Sequence, residues 1–155
     1  MPSKFKVSQI SENTTTTIGR ETIALGTSET ATAARFTKKV DISNSQADRL
    51  ELCLQFTNHA AMSADKVYVK FRTSVVESPT MNTMADWSHI QIDRLHPTTG
   101  EAEVLDLKYT IDTSDNTTTN YVLNVPCVGR WMSAVIWCDA AGTAPAVVGT
   151  WMRSS

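Results

Sequence analysis

Charge is scarce in this sequence: only 19% of its 155 residues are Asp, Glu, Lys or Arg, against roughly 25% in an average domain. The 14 basic and 16 acidic residues leave a formal net charge of -2, so no global positive field exists to gather nucleic acid or an anionic membrane. Cysteine is also sparse. Cys53, Cys127 and Cys138 cannot all pair within one chain, and no CxxC unit offers a zinc knuckle or a redox couple. No run approaches the ~18 apolar residues that would span a bilayer. The opening from Met1 to Val7 carries no apolar core of a secretory leader. The expectation is a soluble chain that folds in a reducing cytoplasm.

Chemistry-bearing motifs are missing as well. There is no GxSxG elbow, no GxxxxGK[ST] phosphate cradle and no GxGxxG turn. His59, His89 and His96 show neither HxH nor HExxH spacing, so no metal site is expected from them. Asp112 and Asp115 look like a fragment of a calcium loop, but the glycine and the closing glutamate that such a loop needs are absent. Two Asn-x-Thr sequons, at Asn13 and Asn116, are expected by chance in a threonine-rich chain. The sequence therefore predicts no catalytic residues, no cofactor and no enzyme.

What is present is a two-residue rhythm. Leu50, Leu52, Leu54 and Phe56 alternate with Glu51, Cys53, Gln55 and Thr57. Val67, Val69 and Phe71 alternate with Tyr68, Lys70 and Arg72, and Leu105, Leu107, Tyr109 and Ile111 with Asp106, Lys108, Thr110 and Asp112. Successive side chains of a strand point to opposite faces, so each run describes a ribbon with one dry and one wet side. Turn clusters separate the runs, among them His96-Pro97-Thr98-Thr99-Gly100, where Gly100 suits the left-handed position of a hairpin loop. Strands are predicted over 18–25, 32–42, 49–58, 66–77, 87–95, 102–112, 120–125, 131–139 and 146–153. Eight or nine such strands make an all-β protein, an antiparallel β-sandwich or jelly roll. The one helix candidate is the short stretch 78–85.

Organisation is simple, with no internal repeat and no interior linker. Residues 1–17 are polar and threonine-rich, with Phe5, Val7 and Ile10 as the only bulky hooks. They read as an extended N-terminal arm, either a frayed end or a segment that orders against a neighbouring subunit. Residues 18–155 read as a single sandwich domain.

The most informative local feature is the stretch 131–139. Trp131, Ser133, Val135 and Trp137 share one face, and Met132, Ala134, Ile136 and Cys138 the other. Both faces are apolar, and three explanations stand. The strand is central and covered on both sides, or one face meets a partner subunit, or the tryptophans form a platform for a sugar ring. Trp131 and Trp137 join Phe5, Val7 and Ile10 as candidate interface residues. Lys38, Lys39, Lys66, Lys70 and Arg72 are placed to line one side of neighbouring strands, with a solvated face as the plain expectation. Cys127, after Pro126 in a loop, is the one thiol to test for reactivity.

In style, the leaderless start, the polar arm, the dense period-two runs and the hairpin-like end from Gly129-Arg130-Trp131 to Trp151-Met152-Arg153 resemble small β-sandwich structural proteins of tailed bacteriophage particles, the head decoration or cement type. That resemblance implies a non-enzymatic virion subunit, made in the host cytoplasm, with itself and a capsid or other virion protein as partners. No specific nucleic acid and no membrane are expected. The same end also resembles jelly-roll carbohydrate-binding modules, which would imply a host-receptor or sugar-binding role in a tail fibre or spike.

Overall fold

A computed structural model describes residues 7–9, 21–23, 25, 29, 36–37, 39–42, 49–57, 66–112, 119–138 and 146–154. Phe5, Ile10 and Lys38 lie outside them. The strands in chain order are β1 (Val7–Gln9), β2 (Glu21–Ile23), β3 (Val40–Asp41), β4 (Arg49–Thr57), β5 (Lys66–Ser74), β6 (Ser88–His89), β7 (Gln91–Leu95), β8 (Ala102–Asp106), β9 (Lys108–Asp112), β10 (Thr119–Pro126), β11 (Trp131–Cys138) and β12 (Ala146–Ser154). All pairings are antiparallel.

The first sheet runs β10–β4–β12. Both β1 and β2 pair with the far side of β12, β2 along Val147–Gly149 and β1 along Met152–Ser154. Val7 of the predicted arm is thus backbone-paired with Ser154 of its own chain. The second sheet runs β3–β11–β5, with β6 and β9 sharing the free edge of β5.

The two-residue rhythm accounts for how the sheets meet. Leu50, Leu52, Leu54 and Phe56 of β4, with Leu123 and Val125 of β10 and Trp151 of β12, face Val67, Val69 and Phe71 of β5 and Met132, Ala134, Ile136 and Cys138 of β11. Most of these side chains are fully excluded from solvent, and burying each large one stabilises the fold by roughly 1.5–3 kcal/mol. Phe71 and Trp151 meet edge to face across the sheets at 5.8 Å. The chain is an all-β antiparallel sandwich.

The differences from the predicted strands have identifiable causes. Of the stretch 32–42, only β3 and a single bridge from Phe36 to Val135 pair in register among the described residues. At Thr37 the side-chain hydroxyl, not the backbone carbonyl, accepts from Ala134 N at 2.8 Å, while Thr37 N donates to Ala134 O at 3.0 Å. A hydroxyl in the ladder displaces the carbonyl, which takes Ser133 Oγ at 2.9 Å, and breaks the regular pairing there.

The stretches 87–95 and 102–112 each divide in two. Ile90 N donates to Phe71 O, and Leu107 N to Ile90 O. Beyond that point, among the described residues, 91–106 pair only with each other, as the two-stranded ribbon β7–β8. Gly100 at its tip takes the predicted left-handed conformation, with φ of 72°. The helix expected over 78–85 reduces to a 3-10 turn at Met84–Asp86, closed by the Asp86 carboxylate on Thr80 N at 2.8 Å.

Candidate functional site

Alternation sends Tyr68, Lys70 and Arg72 of β5 and Trp131, Ser133, Val135 and Trp137 of β11 to the side of the second sheet away from the main core. The ladder sets Trp137 beside Tyr68, Val135 beside Lys70 and Ser133 beside Arg72. On the other flank of β5, Thr110 lies beside Tyr68, Lys108 beside Lys70 and His89 beside Arg72. The outer face is therefore a grid of aromatic and basic side chains. A second, smaller apolar cluster forms on it from Phe36, Val135 and Trp137, joined by Tyr68 and Met81.

Cations lie against the rings throughout this face. Lys39 sits 4.7 Å from the centre of Trp131, Lys108 5.0 Å from Tyr68 and Lys70 6.0 Å from Trp137. Arg72 has its guanidinium 3.8 Å from Phe36 and 4.3 Å from Trp87. Each such contact contributes roughly 0.5–2 kcal/mol, more as water is excluded. Lys70 also anchors two carboxylates, Glu29 at 2.6 Å and Asp106 at 3.0 Å. Burial alone would lower the Lys70 pKa, but the hydrogen bonds and charges of Glu29 and Asp106 outweigh it, so it is raised. For Asp106, burial pushes upward and Lys70 more than reverses it, with His89 and Gln91 adding to the effect, so its carboxyl lies below the usual range.

Arg72 is the anomaly of the face. It is 2% exposed, and among the described residues the only hydrogen-bond partner of its side chain is the Met81 sulfur, 3.8 Å from Nη2. Nε and Nη1 have none, and neither has the buried Nδ1 of His89 across the strand. Desolvation pulls the guanidinium pKa down to about 9.

These positions bear on several sequence expectations. Trp131 and Trp137, expected as interface candidates, are each 9% exposed under their own chain. Trp131 Nε1 donates to Glu77 O, and Trp137 packs on Tyr68 with ring centres 5.4 Å apart. Of the three readings of β11, burial matches a central strand covered on both sides. Trp87 and Trp151 are buried too, so no tryptophan is presented as a flat platform for a sugar. Lys66, Lys70 and Arg72 do share one face of β5, but it is not uniformly solvated. Lys66 is exposed whereas Arg72 is sealed. The sealing could not be read locally, because Phe36 and Trp87 come from segments far from Arg72 in the chain. Cys127 is half-buried against the main core, and burial, with the Glu51 charge adding, pushes the Cys53 thiol pKa up.

Exposed apolar side chains lie elsewhere, at Val75, Val76, Met84, Val122 and Val128 and on the β7–β8 ribbon. On the β7–β8 ribbon, Leu95 is 70% and Val104 59% exposed. The register pairs Leu95 with Ala102 and Asp93 with Val104, so all four share one face. On the opposite face Arg94 pairs with Glu103 at 3.0 Å, and His96 reaches Glu103 at 3.8 Å. Among the described residues no group of three or more His, Cys, Asp or Glu side chains is placed to hold a metal ion. No protein-family model matches this sequence, and no curated relative does either.

Proposed function

We propose that the chain is a non-enzymatic virion structural subunit, of the head decoration or cement type, that works by contacting copies of itself and a shell protein. The observation that supports this reading is the β7–β8 ribbon. A two-stranded hairpin is marginal in water on its own, yet this one leaves the sheet with every residue of β7 exposed and with Leu95, Ala102 and Val104 beside Asp93 on one face. Exposed apolar side chains beside charge fit a protein contact, where apolar area is buried at the centre and polar groups remain at the edge. The doubly covered β11 supplies a stiff body behind it.

The test is the solution mass of the purified chain across a concentration series, comparing the parent with Leu95→Ser/Val104→Ser. A self-associating parent whose association weakens in the variant supports the reading. A parent that stays monomeric at high micromolar concentration and binds no assembled shell overturns it.

A further inference from the structure

Arg72 carries a charge that nothing in the described fold balances. Buried guanidinium groups are normally paired with a carboxylate, because the cost of taking the ion out of water is otherwise uncompensated. The two acids that reach this face meet Lys70, and no acid contributes to the Arg72 environment. Asp106 is held by Lys70 at 3.0 Å and by Gln91 at 3.5 Å, and Glu29 by Lys70 at 2.6 Å. The rings of Phe36 and Trp87 stabilise the cation through their π faces, but rings do not satisfy N–H groups at a guanidinium edge. Nε and Nη1 remain unpartnered, and so does His89 Nδ1. Arg72 and His89 are direct cross-strand partners, so their side chains leave the sheet on one face, about 5 Å apart at Cβ. Three unsatisfied nitrogens thus belong to two cross-strand neighbours on one face, with the half-buried Met81 against the Arg72 guanidinium.

We infer that Arg72 and His89 form a binding site for a small oxyanion, a carboxylate or a phosphate group. The anion would accept from the Arg72 edge and from an N–H at His89 Nδ1, charge-assisted bonds of the strongest class available to a protein. A water molecule could satisfy the hydrogen bonds but would leave the charge unbalanced. The inference goes beyond the assembly reading and does not depend on it.

The test uses the full chain, labelled with 15N, titrated with sodium acetate and with sodium phosphate against sodium chloride at matched ionic strength. The Arg72 Nε–H resonance and the thermal midpoint are followed together. The expected result is a saturable shift of that resonance with at least one oxyanion, a midpoint that climbs with the same concentration, and no such response to chloride. Arg72→Met should lose both responses, and His89→Ala should bind more weakly. Preference for acetate assigns the site to carboxylates, and preference for phosphate to phosphoryl groups. An Arg72 resonance that neither oxyanion moves overturns the inference, and this arm requires no variant to fold. A midpoint response that survives unchanged in Arg72→Met also overturns it. Because the titration reads Arg72 in the isolated protein, its failure leaves the assembly proposal standing.

Discussion

Thr37 anchors its segment to the main core, and Thr37→Val tests whether its hydroxyl does so. Thr37 is fully buried. Its Oγ1 accepts from Ala134 N at 2.8 Å and from Trp151 Nε1 at 3.2 Å, and lies 3.3 Å from Ser133 Oγ. Valine keeps the shape and removes the acceptor, so two buried N–H donors lose their partner. Each unsatisfied donor costs about 1–3 kcal/mol, and the added methyl group returns about 0.8 kcal/mol. The net loss should be about 1–5 kcal/mol, a large part of the stability of a domain this size. Urea unfolding followed by tryptophan fluorescence reads it as a lower midpoint at unchanged slope. Trp151→Phe supplies the control, because it removes one of the two donors. In that background Thr37→Val should cost less, leaving a coupling energy of about 1–3 kcal/mol. A Thr37→Val loss below about 1 kcal/mol, or a cycle with no coupling, would refute the role given to the hydroxyl. Phe36 precedes Thr37 and packs on Arg72, so the same substitution should also increase solvent exchange at the Arg72 Nε–H.

Further consequences are open to measurement. Gly129→Ala should cost about 2 kcal/mol or more, because its φ of 75° is left-handed and an added Cβ meets Thr73 Oγ1 and, at 3.1 Å, Ser74 O. Gly100→Ala has the same backbone conformation and open space around it, so it should cost only about 1 kcal/mol by the same unfolding assay. Asp106 has a depressed folded pKa, so its contribution to stability is present above the ordinary aspartate range and is lost as pH falls through the folded value. Stability against pH should therefore decline on the acid side, and Asp106→Asn should flatten that decline; an unchanged acid limb would contradict it. Lys70 is shifted upward, so its contribution holds below the ordinary lysine range and disappears as pH climbs through the raised value. Leu95→Ser/Val104→Ser should leave monomer stability within about 0.5 kcal/mol. If docking buries both side chains, it should weaken self-association by about 2–4 kcal/mol, roughly 30- to 1000-fold in Kd.

Most of the sandwich is legible along the chain because a strand declares itself locally. The alternation through Leu50–Phe56 and Val67–Phe71 is a property of adjacent residues, and it survives intact as the inner faces of β4 and β5. The doubly apolar run from Trp131 to Cys138 likewise becomes the strand whose every residue is buried. Gly100 marks its turn for the same reason, since left-handed backbone is a single-residue demand. Alternation alone cannot say what covers an outward face. Lys70 and Arg72 hold equivalent positions two residues apart in β5, yet Lys70 reaches two carboxylates while Arg72 is sealed under Phe36 and Trp87. That distinction depends on contacts between segments distant in sequence. The splitting of 87–95 and 102–112 has the same origin: an edge of β5 can be shared by two strands only where the chain between them leaves it. Local sequence determined which residues point inward, because side-chain direction follows from the strand itself. Only the tertiary structure decided which outward groups meet water, a ring or nothing at all, because those neighbours are set by how the sheets and their covering loops pack.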